Sequence, residues 1–216
     1  MSEKKKHKSI VIALVAGSVG LVLIIIVGVG ITLLGQHNAN KEISEAQQLA
    51  DKYYLATQNY STLPSSVTKT QSQWDSYYSG LISQLKNIQQ TNLQDTYTTT
   101  PLNNFKQGFG TAINDSINYL TATQSATDTS FTITADNSKI ASDNNLIQTF
   151  QADGAVLMAS SIVSEQATLT TDQATLKNDQ QTETQENNQA SQIQQTLNTD
   201  YKSLGQASHA AGFQIN

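Results

Sequence analysis

Apolar positions along the chain follow two regimes. From Ile10 to Leu34 they are nearly continuous: 19 of 25 residues are apolar, none is charged, and the exceptions are Gly17, Ser18, Gly20, Gly28, Gly30 and Thr32. A helix of that length rises about 37 Å, enough to cross a hydrocarbon core of about 30 Å. Lipid offers no partner to backbone N–H and C=O groups, so a spanning segment must close its own hydrogen bonds as a helix. Lys4, Lys5, Lys6 and Lys8 precede the run and only Glu3 opposes them. That asymmetry makes residues 1–9 a basic cytoplasmic stub and leaves the C-terminus extracellular. A cleaved signal peptide also begins with basic residues, but its apolar stretch spans about 7–15 residues. The run here is longer, and Gln36-His37-Asn38-Ala39 is a poor cleavage sequence. The expectation is an uncleaved signal-anchor over 10–34. Ala13, Gly17, Gly20, Gly28 and Thr32 partly align at helical spacing, which makes them candidates for a close contact with another transmembrane helix.

After residue 36 the apolar positions become periodic. Ile43, Ala46, Ala50, Tyr53 and Tyr60 keep a 3/4 spacing that puts them on one helical face, and Pro64 ends that helix near Ser61. Val67, Trp74, Leu81 and Ile88 repeat every seven residues with Tyr78 and Leu85 between them, an a/d-like seam. Pro101 suits a helix start, and Leu102, Phe105, Phe109, Ile113, Ile117 and Leu120 follow on one side. Gly108 and Gly110 weaken this helix and would let a neighbour approach closely.

The helical period fades between Ala122 and Ser138. Thr127 to Thr134 alternates polar and apolar residues and is rich in β-branched types, so by itself it reads as a short strand. A lone strand lacks a partner, and the segment is expected to be a connection. Helix resumes near Ser138 with Ile140, Ile147, Phe150, Leu157, Ile162 and Val163 as its apolar face and Gly154 inside it. In the last segment Leu169, Leu176, Ala190, Leu197 and Leu204 share a seven-residue register, with Glu183 in the gap. Lys177 to Gln189 holds no apolar residue and no Gly or Pro. It is the turn of a helical hairpin or, preferably, the exposed middle of one long helix. Gly205 to Asn216 is expected to fray.

These patterns predict an all-α fold: an N-terminal transmembrane helix followed by an extended extracellular bundle of three or four helices with coiled-coil-like seams. The exterior divides into a helical ectodomain over 36–163 and a polar, Gln/Thr-rich helical segment over 164–216.

Composition narrows the chemistry. Gln, Asn, Ser and Thr supply 90 of the 216 residues, and the chain has no Cys and no Arg. Without Cys there are no disulfides, thiolate metal sites, thiol nucleophiles or lipoprotein acylation. A net charge of −5 without Arg offers no phosphate grip, so no nucleic-acid partner is expected. In composition and layout the exterior resembles membrane-anchored surface proteins of Gram-positive bacteria, which implies a place in the cell envelope and no particular activity.

No catalytic constellation emerges. His7, His37 and His209 are scattered, and HExxH, P-loop and GxSxG sequences are missing. Glu42/Glu45 and Glu183/Glu186 stand at i,i+3 in polar surroundings, which reads as a solvated face. The oxygen-rich stretch Asp136 to Asp143 lacks the glycine and terminal glutamate of a calcium loop. Neither metal nor cofactor is expected, and the protein reads as a non-enzyme. The aromatic residues Tyr54, Trp74, Tyr77 and Tyr78, beside Tyr53, are the candidate binding surface, weighed against packing between the first two external helices.

The expected function is a non-enzymatic, single-pass cell-surface protein whose helical ectodomain binds or spaces at the envelope. The alternatives are an accessory subunit of a transport, secretion or sensing complex, or a phage-exclusion or immunity protein. The implied partners are the lipid bilayer, a membrane or envelope protein, and possible further copies in a homo-oligomer.

Overall fold

A computed structural model describes residues 38–57, 70–154 and 156–215. The expected membrane span, with Ala13, Gly17, Gly20, Gly28 and Thr32, lies outside the described residues, as do Tyr60 and Val67. Among the described residues no helix is long and apolar enough to cross a membrane.

The described chain is all-α and contains no strand. The described part of helix α1 covers 38–57; α2 spans Gln71–Gln94, α3 Thr100–Ala152 and α4 Ala159–Ala210. A capping box starts α2: the Gln73 amide donates to Thr70 Oγ1 (3.3 Å) and the Thr70 amide to Gln73 Oε1 (2.9 Å). Pro101 sits in the first turn of α3, where its missing N–H costs nothing.

Cross-helix contacts fix the directions. Asn92 Nδ2 donates to the Lys106 carbonyl at one end of the α2–α3 pair (3.2 Å), and Tyr78 Oη meets Thr127 Oγ1 at the other (3.3 Å). The pair is therefore antiparallel. Glu42 near the start of α1 accepts from the Thr98 amide (2.9 Å), while Tyr53 further along reaches Ser116 (2.7 Å). Helix α1 thus runs parallel to α3. The return helix α4 brings Tyr201 against Tyr53 (3.2 Å between hydroxyls).

These four helices form a base. Its core joins Ala46, Leu49 and Tyr53 of α1, Leu81 and Leu85 of α2, Phe105, Phe109 and Ile113 of α3, and Leu204 of α4. Each such side chain contributes about 1.5–3 kcal/mol when taken fully out of water. The expected faces of α1, α2 and the first part of α3 are the faces buried. Gly108 and Gly110 permit close approach as expected: a Cβ on Gly108 would touch Leu204 at 3.5 Å, and one on Gly110 would crowd Asn92 at 3.3 Å.

Three expectations give way here. First, Thr127–Thr134 is neither strand nor connection but the middle of α3. Within the helix the threonine hydroxyls are satisfied by carbonyls four residues earlier, as Thr127 is by Thr123 (2.8 Å) and Thr134 by Ser130 (2.9 Å). A partner helix along the same face then overrides β propensity.

Second, the apolar face from Ile140 to Val163 does not belong to one helix. Helix α3 stops at Ala152, Gly154 takes a left-handed φ of 118°, and the chain reverses into α4. Lys177–Gln189, by contrast, is the expected continuous helix. Helix α4 also crosses the expected boundary between 163 and 164 without interruption, and its C-terminal half completes the base core.

Third, the C-terminus is packed rather than frayed. The Phe213 amide donates to the Ser208 carbonyl (3.0 Å) and the Gly212 amide to the His209 carbonyl (3.1 Å), the Schellman pattern. Gly212 supplies the left-handed φ of 92° that the pattern requires. The motif turns Phe213 back onto Phe105.

Candidate interaction site

Helix α2 is bonded to α3 no further along than Asp128, through Gln71 Nε2 (3.1 Å). Beyond Thr129 and before Glu186, only α3 and α4 face each other among the described residues. The result is a two-helix stem that continues about 36 Å from Thr129 to Ala152 at 1.5 Å per residue.

The stem is an antiparallel pair with a seven-residue repeat on both helices. One seam is apolar: Ala126, Ile133, Ile140 and Ile147 on α3, and Leu169, Leu176 and Ala190 on α4, with Glu183 among them, are all buried or half-buried. The other seam is polar, with Thr129, Asp136, Asp143 and Phe150 on α3, and Glu165, Asp172, Asp179 and Glu186 on α4. Glu186 is satisfied there by Ser125 Oγ (2.5 Å) and Thr129 Oγ1 (2.8 Å).

The rest of the polar seam sets carboxyl against carboxyl. Asp136 faces Asp179, and Asp143 faces Asp172 with Glu165 beside it. Among the described residues one cation serves the group, Lys139, whose Nζ lies 2.8 Å from Asp172 Oδ1. That ammonium holds Asp172 below the ordinary aspartate value. Partial desolvation, followed by the facing carboxyls, pushes Asp136 and Asp143 above it. Asp143 is only 7 % exposed, and one oxygen of each of Asp136, Asp143 and Asp172 has no donor.

At the end of the stem the α3–α4 turn exposes its apolar residues. Val156 is 92 % exposed and Leu157 88 %. Val163, in the first turns of α4, is also exposed. Between Lys139 and Lys177 the sequence holds Asp143, Asp153, Glu165 and Asp172 and no basic residue. Of these, Asp153 and Glu165 lie nearest the tip in sequence, while Asp143 and Asp172 are buried in the seam and Asp172 is paired with Lys139.

The aromatic candidates take different places. Trp74, Tyr77 and Tyr78 form one cluster with ring centroids 5.7–5.8 Å apart. Tyr78 is buried, and Trp74 and Tyr77 are half-buried against the core. This trio packs α2 onto α3, where Tyr78 Oη meets Thr127, whereas the packing alternative places it between the first two external helices. Burial pushes the hydroxyls of Tyr77 and Tyr78 above the ordinary tyrosine value. Tyr54 is not part of the cluster and stays on the surface of α1 at 38 % exposure.

The paired glutamates are structural. Glu42 accepts from both the amide and the hydroxyl of Thr98, and Glu45 pairs with Lys41 at 3.6 Å on the surface. Asp136 to Asp143 is helical. No group of acidic and histidine side chains among the described residues is arranged to hold a metal ion. A shallow cleft of about 460 Å³ between α3 and α4 is lined by Asn118, Ser125, Glu186, Gln189 and Ile193. It offers amides, the Ser125 hydroxyl and the Glu186 carboxylate to which that hydroxyl already donates.

Sequence reasoning passed over Val156 and placed Leu157 on the apolar face of a helix running through Gly154. The adjacent Asp153-Gly154 is the usable signal, since a glycine after a helical run marks a left-handed stop. No protein-family model, curated protein or solved structure matches this chain.

Proposed function

We propose that this chain is a non-enzymatic, single-pass membrane-anchored surface protein that carries an apolar docking loop away from the bilayer. The observation behind this reading is the exposed Val156–Leu157 tip on a stem that outruns the four-helix base. With residues 10–34 in the bilayer, residues 35–37 are all that lies in sequence between the span and residue 38 of the base, which puts that residue within about 10–15 Å of the membrane. Helix α3 starts at that same end and rises about 80 Å over its 53 residues. The tip then stands outside the cell, far from the lipid from which the chain emerges.

The partner that suits the tip is an envelope protein with an apolar pocket and a basic rim. The tip offers two large apolar side chains for the pocket, and Asp153 and Glu165 offer acidic partners to the rim. The same charge disfavours anionic lipid headgroups and end-to-end contact between two copies.

The test uses the full chain in its native membrane with a photoreactive side chain at position 157 or, on the exposed base, at position 93. Adducts of one defined size from position 157 alone, lost on Val156→Ser, are expected. Equal adducts from both positions, or none from 157, would sink the docking role. Added protease should remove the exterior from intact cells, and an exterior that stays protected would sink the orientation.

A further inference from the structure

We infer that the stem is a proton-held clamp, in which protons shared within Asp136–Asp179 and Asp143–Asp172 hold α3 and α4 together in acid and their loss as pH rises loosens the distal hairpin.

The geometry makes the case. Both pairs lie in the same seam, one heptad apart on each helix, so the carboxyls are directed at each other across the interface instead of into solvent. Asp172 Oδ1 takes the Lys139 ammonium, while its Oδ2 has no donor; nor has Asp143 Oδ2 or Asp136 Oδ2. Acceptors facing acceptors cannot satisfy one another. A proton on one carboxyl of each pair converts it to a donor and repairs both sides at once. The groups facing these pairs are Asp179, Asp172, Glu165 and Lys139. All belong to α3 or α4, since among the described residues no other helix packs there. One lysine cannot neutralise two pairs and Glu165.

The sign follows from the shifts. Asp136 and Asp143 titrate above the ordinary aspartate value of 3.8. Their stabilisation is complete below that value and is lost as pH rises through the raised ones. Asp172 is shifted down by Lys139, so its contribution appears above the ordinary value and is lost as pH falls through the lowered one. The stem is therefore tightest in the interval between, with Asp172 ionised and Asp136 and Asp143 protonated. Loosening at higher pH frees the apolar seam as well as the acidic one, because both share the same two helices.

The consequence for docking rests on the proposed function; the clamp itself does not. The test is hydrogen exchange on the full-length protein in detergent, corrected for the intrinsic pH dependence of exchange. Amides of 129–186 are compared with those of the base. Stem protection relative to the base is expected to fall several-fold from acidic to neutral pH. Asp136→Asn with Asp143→Asn, which keeps a donor at every pH, should flatten that fall. Asp179→Asn supplies the donor from the opposite helix and gives an independent check should the double variant lose helix. Lys139→Gln should steepen the fall. A wild-type stem whose relative protection ignores pH would overturn the clamp, and so would a fall that persists unchanged in the Asn variants. If the clamp holds while the tip cross-links to nothing, the docking reading fails alone.

Discussion

The ring of Phe213 stands edge-on to that of Phe105, with centroids 4.9 Å apart and planes at 77°. The last apolar residues of the chain thereby seal the start of α3. Phe213 is buried, although only Phe213 and Ile215 are large and apolar after Leu204. Phe213→Ala is expected to cost about 3 kcal/mol through lost transfer energy and the cavity left behind. That corresponds to a fall of roughly 6–12 °C in Tm for a chain of this size. Thermal unfolding followed by circular dichroism checks it, and an unchanged Tm would mean that the C-terminus is not docked in solution.

Gly212→Ala separates backbone strain from packing. The added Cβ would meet only Ile43 Cδ1, at 3.7 Å, which is ordinary contact. The left-handed φ is the remaining obstacle, costing about 1–2 kcal/mol. A smaller loss than that of Phe213→Ala is expected in the same unfolding experiment.

Tyr53 holds three helices through one hydroxyl. Its Oη lies 2.7 Å from Ser116 Oγ, 3.3 Å from the Ala112 carbonyl and 3.2 Å from Tyr201 Oη. Tyr53→Phe keeps the ring against Phe109 but removes the hydroxyl that joins buried Ser116, the Ala112 carbonyl and Tyr201. A loss of about 1–3 kcal/mol is expected. Denaturant unfolding should show it as a lower midpoint with an unchanged slope.

Gly108 tests how tightly α4 lies on α3. Gly108→Ala meets Leu204 at 3.5 Å and gains up to about 1 kcal/mol of helix propensity, so it should be neutral or mildly stabilising. Gly108→Leu has no room and should cost about 1–3 kcal/mol by overpacking. A well-tolerated leucine in thermal unfolding would refute the close contact.

Leu157→Ser and Val156→Ser should leave Tm within about 1 °C, because neither side chain is buried on folding. Loss of the cross-link with unchanged Tm is the expected pair of outcomes. A Tm that drops would show that the tip belongs to the fold.

What the sequence revealed depended on whether a residue's type agreed with its position. Leu81, Leu85, Phe105 and Ile113 are apolar at core positions, so periodicity exposed α2 and the start of α3. Asp136, Asp143, Asp172 and Asp179 occupy the same kind of position with the opposite chemistry. An acidic residue every seven places reads as a wet face until the partner helix is known. The threonines of 127–134 misled for a related reason, since their hydroxyl bonds back to the backbone appear only once the helix exists. The reversal at Gly154 was hidden by its apolar flank, and with it went the exposed pair Val156 and Leu157. The aromatic cluster was visible, yet sequence could not show that Trp74 and Tyr77 lean on Tyr78 and spend their surface on packing.

The seven-residue register that pairs α3 with α4 makes the protein's height a divisible quantity. Removing one matched heptad from each helix of the stem would lower the tip by about 10 Å and return every remaining residue to its former partner. The base, the turn and both ends of the hairpin would stay as they are. Reach can thus be lengthened or cut in even steps, like a measuring rod, by duplications and deletions that leave the folded core untouched.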